Sequence, residues 1–215
     1  MTRPTVVLLH GLARTARSLH GLRQAIDRAG YDTWARTYAS RKRSIAECAQ
    51  ETAEHIARDL PGRPLVAVTH SLGGILVRHM ATTLPWQGAV MLAPPNAGSR
   101  IAGMLHQNPI FRWFYGPAGR DVVDPSTWPM PPTPFAVIAG TRAASLGNPT
   151  SWLTRALRLF PPDDPSDGTI AVRETRLPGM ADFATVDADH TWLMNDPRVH
   201  AMVLAFLATG RLTND

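Results

Sequence analysis

Apolar residues fall along this chain in two patterns. The first is the short unbroken run: residues 5–9 (TVVLL), 65–69 (LVAVT), 88–93 (GAVMLA) and 135–140 (FAVIAG). Apolar runs of this length that do not alternate read as strands buried on both faces. Residues 31–38 (YDTWARTY) alternate instead, and 181–186 (ADFATV) read as a short sixth strand. The second pattern is helical. Across 18–30, Leu19, Leu22, Ala25, Ile26 and Ala29 share one face, and Gly30 stops it. Across 44–60, Ile45, Cys48, Ala49, Thr52, Ala53 and Ile56 keep the same period. Ser44 and Glu47 have capping-box spacing at the start of that helix, and Pro61 and Gly62 end it. Helices over 72–84 and 197–210 complete the set, with Pro197 suited to a first turn and Gly210 to a stop.

Strands that alternate with helices need crossover connections, and hence parallel pairing. The expectation is an α/β fold of about six mostly parallel strands with helices on both faces, built as a single domain over 1–215. Two stretches break the alternation. Residues 94–134 are rich in Pro and aromatic side chains. They are expected to form a short lid-like insert or the wall of a binding pocket, with a plain cover for the sheet edge as the alternative. Residues 141–168 are also irregular. Within them 151–160 (SWLTRALRLF) carries an apolar helical face bordered by Arg155 and Arg158. A packed helix is the first reading there, and a weak membrane-surface contact the second.

Composition narrows the partners. With 44% hydrophobic and 18% charged residues over 215 positions, the chain can bury a core and is not of disordered type. The formal net charge of +5 comes mostly from scattered arginines. The one dense run, Arg41 to Arg43, reads as a solvated loop, so no nucleic-acid partner is expected. The single cysteine, Cys48, excludes an intrachain disulfide. The N-terminal apolar run is too short for a signal peptide, and the run at 201–208 is far short of a bilayer span. A cytoplasmic location is expected, with no obligate protein partner.

Ligands of open parallel sheets bind beyond the carboxyl ends of the strands. His10 and Gly11 follow the first strand, and Ser71 follows the third. Asp167 lies in the loop after the fifth, and His190 just after the sixth. A serine, an acid and a histidine thus share one end of the sheet. A serine hydroxyl is a weak nucleophile that needs a base in reach, and histidine has the right pKa. A carboxylate fixes the imidazole tautomer and stabilises the imidazolium. Asp163, Asp164, Asp187 and Asp189 are rival acids, and His200 is the rival base. The Asp-Gly pair before an apolar run favours Asp167, and His200 falls inside the closing helix. No zinc, EF-hand or phosphate-loop spacing is present, so neither metal nor cofactor is expected.

The segments "LLHGL", "VTHSLGGILVRH", "LAPPNAGS", "SDGTIAV" and "DADHTWLMNDPRV" together resemble the α/β-hydrolase family, of the small bacterial lipase and esterase kind. The resemblance covers nearly the whole chain. It implies an α/β-hydrolase fold with a minimal core and a serine-hydrolase triad of Ser71, Asp167 and His190. Ser71 would stand on a sharp strand–helix turn, with Gly73 and Gly74 as the small neighbours such a turn needs. The backbone N–H groups of Leu12 and Leu72 would form the oxyanion hole. Gly11 would permit close approach, and His10 would order the oxyanion loop by hydrogen bonds rather than transfer protons. One departure is Thr69, where the family usually has the first Gly of Gly-x-Ser-x-Gly. The implied activity is hydrolysis of a small-molecule ester or lipid-like acyl substrate through an acyl-enzyme on Ser71. Acyltransferase or thioesterase action with the same triad is the alternative, and a non-catalytic binding protein on this scaffold is a further one.

Overall fold

The computed structural model describes residues 3–105, 107–144 and 164–213. Among these, six strands form one sheet: β1 (Thr5–Leu9), β2 (Thr33–Ala35), β3 (Leu65–His70), β4 (Trp86–Leu92), β5 (Phe135–Gly140) and β6 (Asp182–Val186). Their order is β2-β1-β3-β4-β5-β6, and every neighbouring pair is parallel. The period-2 alternation of side chains sorts the strands onto two cores. Val7, Leu9, Ala67, Met91 and Val137 face α2 (Ile45–Asp59) and α3 (Leu72–His79). Val6, Leu8, Val68, Val90 and Ile138 face α1 (His20–Arg28) and the closing helix Pro197–Thr209. Both faces are covered, which is why these strands carry no polar alternation.

The helix ends follow their sequence signals. Ser44 Oγ accepts from the Glu47 N–H at 3.2 Å, and the Glu47 carboxylate accepts from the Ser44 N–H at 2.8 Å. Asp196 caps the closing helix by accepting from the Arg198 N–H at 2.8 Å, and Gly210 ends it in the left-handed region at φ 77°.

Of the boundaries that differ from the sequence expectation, three have a visible cause. β2 is three residues long, because the chain leaves the sheet edge where the Tyr38 N–H donates to His10 Nε2. α3 stops at His79 rather than at 84. The Met80 carbonyl there accepts from Thr83 Oγ1 and Trp86 Nε1, which turns the chain into β4. β4 accordingly begins two residues early, at Trp86.

The insert 94–134 contains α4 (Arg100–Leu105) and α5 (Pro109–Asp121). α5 is broken at Gly116, where φ is 66°, just before Pro117. Arg78, on α3, anchors the flanks of this insert. Its guanidinium donates to the carbonyls of Pro129 (2.5 Å), Asn96 (3.1 Å) and Trp128 (3.1 Å) and lies over the Trp128 ring. Asp121 closes the other side by accepting from the Ile45 N–H at 2.9 Å. The 151–160 segment lies outside the described residues. Among the described residues no helix is long and apolar enough to cross a membrane.

Candidate active site

Ser71 sits between β3 and α3 with φ 50° and ψ −118°. A non-glycine residue held there costs roughly 1–3 kcal/mol, so the surroundings must enforce it. They do so by close packing. The Ser71 N–H donates to the Leu92 carbonyl at 2.8 Å. A Cβ on Gly73 would fall 2.4 Å from the Leu9 carbonyl oxygen. A Cβ on Gly74 would fall 2.9 Å from Met91 Cε and from Pro94 Cβ. Both glycines are therefore required for α3 to start this close to the sheet. Thr69 is fully buried beneath the turn, and its Oγ1 has no hydrogen-bond partner among the described residues. Gly74 leaves the room that Thr69 occupies, since its added Cβ would lie 3.4 Å from that oxygen.

The three sequence candidates meet across the end of the sheet. Ser71 Oγ lies 3.1 Å from His190 Nε2, and His190 Nδ1 lies 2.6 Å from Asp167 Oδ2. The carboxylate accepts from Nδ1–H, so Nε2 is left free to accept from the serine hydroxyl. Asp167 is fully buried, and its other oxygen accepts from the Thr169 (3.0 Å) and Ile170 (2.7 Å) N–H groups. A second link runs from the His190 N–H to the Asp167 carbonyl at 3.0 Å. The rival acids among the described residues are engaged elsewhere. Asp164 pairs with Arg173 at 3.0 Å and Asp187 with Arg142 at 3.1 Å, while Asp189 accepts from the Thr191 N–H at 2.9 Å. Asp163 lies outside the described residues. His200, in the closing helix, bonds the carbonyl of Met194 before that helix through Nε2 at 2.9 Å.

Leu12 and Leu72 line the cleft beside Ser71. Among the described residues neither backbone N–H donates to a protein acceptor, and the Leu72 amide opens α3. Free N–H groups at a helix start suit an anion. Gly11 lies so close to the elbow that an added Cβ would fall 2.8 Å from His70 Nδ1. His10 bonds the Gly11 carbonyl through Nδ1 at 2.8 Å, accepts from the Tyr38 N–H at Nε2, and stacks on the Tyr38 ring at 3.9 Å. The Tyr38 hydroxyl donates to the His10 carbonyl. Burial pushes the His10 pKa down to about 4, so the ring is neutral and holds one tautomer.

The cleft over Ser71 has a volume of about 210 Å³. Ile101, Ala102 and Val122 of the insert form part of its wall, with Ile170 from the loop that carries Asp167. Three residues here escaped the sequence reading. Arg14 lines the cleft just beyond Leu12, in the loop after β1. Arg78 fixes the insert from behind. Gly140 ends β5 where an added Cβ would fall 2.7 Å from Asp167 Cβ. The "HGLART" and "IAGT" contexts contain Arg14 and Gly140, but only contact geometry separates them from ordinary loop residues.

The alpha/beta hydrolase family model matches residues 6–213, and the chain belongs to that family. Its fold is shared by solved enzymes of low sequence identity. A lipase from Bacillus licheniformis, in mature form, aligns over 99% of this chain and 93% of its own at 18% identity and a TM-score of 0.75. A metagenomic carboxyl esterase aligns over 87% of this chain and 64% of its own at 19% identity, with a TM-score of 0.71. A methylesterase from Arabidopsis aligns over 95% and 99% at 14% identity, with a TM-score of 0.60. At these identities the likeness is one of fold. No curated protein matches the sequence.

Proposed function

We propose that this hydrolase cleaves carboxylic esters through an acyl-enzyme on Ser71. One observation carries the reading: the continuous line from Ser71 Oγ to His190 Nε2 and from His190 Nδ1 to Asp167, with Ser71 in a strained turn at the floor of a cleft. Ser71 Oγ attacks the ester carbonyl carbon while its proton passes to His190 Nε2. The new O–C bond gives a tetrahedral oxyanion, held by the Leu12 and Leu72 N–H groups. The C–O bond to the alcohol then breaks, and His190 Nε2 returns the proton to the leaving oxygen. Water attacks the acyl-enzyme, giving its proton to His190, and the acid departs as the Ser71 hydroxyl is restored. Asp167 keeps Nδ1 protonated throughout and balances the imidazolium charge. The apolar side chains of Ile101, Ala102 and Val122 support an aliphatic acyl group on the insert side.

The test is covalent labelling. A fluorophosphonate probe should add to Ser71 in the folded protein, located by peptide mass spectrometry, and butyryl esters should compete with it. A folded protein that resists the probe, or carries it on another residue, contradicts the reading.

A further inference from the structure

The loop after β1 brings a cation into the same cleft. Arg14 lines it next to Leu12 and close to Thr191. One guanidinium nitrogen donates to the Thr191 carbonyl at 2.9 Å, which fixes the head group against the histidine loop. Arginine carries five N–H donors, and this bond uses one. Burial lowers the pKa of the group, opposed by the field of Asp189. Yet among the described residues no carboxylate comes within ion-pair distance of Arg14. Asp189 Oδ1 is already engaged by the Thr191 and Trp192 N–H groups. The neighbouring rings of His10 and His70 are neutral and supply no counter-charge. A half-buried guanidinium with no carboxylate within ion-pair distance gains more from an anion that docks against it than an exposed one does.

The position also says which part of the substrate would meet it. His190 Nε2 protonates the departing oxygen, so the alcohol portion leaves on the histidine-loop side of Ser71. Arg14 is bonded to the residue after His190. The apolar wall of Ile101, Ala102 and Val122 belongs instead to the insert after β4, across β3 from the loop that carries Arg14.

We propose that Arg14 is a specificity residue that binds an anionic group, carboxylate or phosphate, on the alcohol portion of the ester. The inference rests on the ester-hydrolase reading above. The preferred substrate would be an acyl ester of an acidic alcohol, with its aliphatic acyl chain on the insert and its anion in the Arg14 fork.

The experiment compares three butyrate esters: of phenol, of 3-hydroxybenzoate and of 3-hydroxyphenyl phosphate. The phenol and the hydroxybenzoate have leaving oxygens of similar acidity, so their comparison isolates the charge, and the third arm separates phosphate from carboxylate recognition. Wild-type kcat/KM should favour an anionic ester over the phenyl ester, and rising salt should erode the preference. Arg14→Gln should cut the anionic-to-neutral ratio about tenfold, the scale of one charge-assisted bond, with the loss mainly in KM. Arg14→Lys should restore part of it, since it keeps the charge but not the planar fork. An equal fall for all three esters in Arg14→Gln would mean that Arg14 only braces Thr191, and would overturn the proposal. So would a wild-type enzyme that prefers the neutral ester, a result that needs no variant to fold. If none of the three esters is hydrolysed in a Ser71-dependent manner, the ester-hydrolase reading itself fails and this inference falls with it.

Discussion

His70 is the chain neighbour of Ser71, yet its ring reaches forward to the loop that carries His190: His70 Nε2 lies 3.0 Å from the backbone carbonyl of His190. The two rings stand 4.8 Å apart at 46°. Burial, with the charges of His190 and Arg14, pulls the His70 pKa well below 6.5, so Nε2 carries the only ring proton and donates it to that carbonyl. The turn between β3 and α3 thus positions the His190 loop directly. His70→Leu should leave the carbonyl unpaired and lower kcat about tenfold, equivalent to about 1.4 kcal/mol, with KM nearly unchanged. Steady-state kinetics check this; a purely KM effect contradicts it.

Thr69 carries a buried hydroxyl with no partner among the described residues. Such a group has given up its hydration for nothing, at roughly 1–3 kcal/mol. Thr69→Val replaces it with a methyl of similar shape. Thermal unfolding should therefore rise by about 2–4 °C for a gain of about 1 kcal/mol. A drop of that size would mean that the hydroxyl is satisfied in solution.

Arg78 donates to three backbone carbonyls on both flanks of the insert while almost wholly buried. Burial lowers its pKa to about 10, which leaves it cationic at neutral pH. Arg78→Met strands those carbonyls and should cost about 3 kcal/mol in denaturant unfolding. Amide exchange should quicken at 94–99 and 122–134 before it does in the sheet. Uniform exchange across the molecule would contradict the anchoring role.

The neutral, buried His10 makes stability pH-dependent. An unfolded histidine protonates near 6.5, but folded His10 does so only at about 4. Between those values the unfolded chain binds the additional proton, so stability falls as pH falls through this window and is flat above it. The full loss is about 3 kcal/mol once pH reaches 4. His70 acts with the same sign. Denaturant midpoints measured from neutral pH down to about 5 should decline, and His10→Asn should flatten the slope. A midpoint that holds steady or rises on acidification contradicts this.

Much of this architecture is legible in the chain because local signals and tertiary demands agree. Fully buried strands such as β1 and β5 must be unbroken apolar runs, so their bounds could be read to the residue. The Ser44–Glu47 capping box marked the start of α2 for the same reason. The edges were less legible. β2 ends where a hydrogen bond to His10 draws Tyr38 away, and the cause lies 28 residues off in sequence. Ser71, Asp167 and His190 were legible because each follows a strand end in a recognisable motif. Arg14 and Arg78 were not. One is an ordinary loop arginine and the other a helix arginine until the fold sets them against Thr191 and the insert carbonyls.

The most direct test of the central claim is the initial rate on p-nitrophenyl butyrate for wild type, Ser71→Ala and Asp167→Asn, each shown to be folded by circular dichroism. Loss of Ser71 should cost at least about 10³-fold in kcat/KM, and Asp167→Asn about 10³–10⁴-fold in kcat, since it leaves His190 in the wrong tautomer. A Ser71→Ala protein that hydrolyses the ester at the wild-type rate would show that the Ser71–His190–Asp167 line is not the catalytic centre.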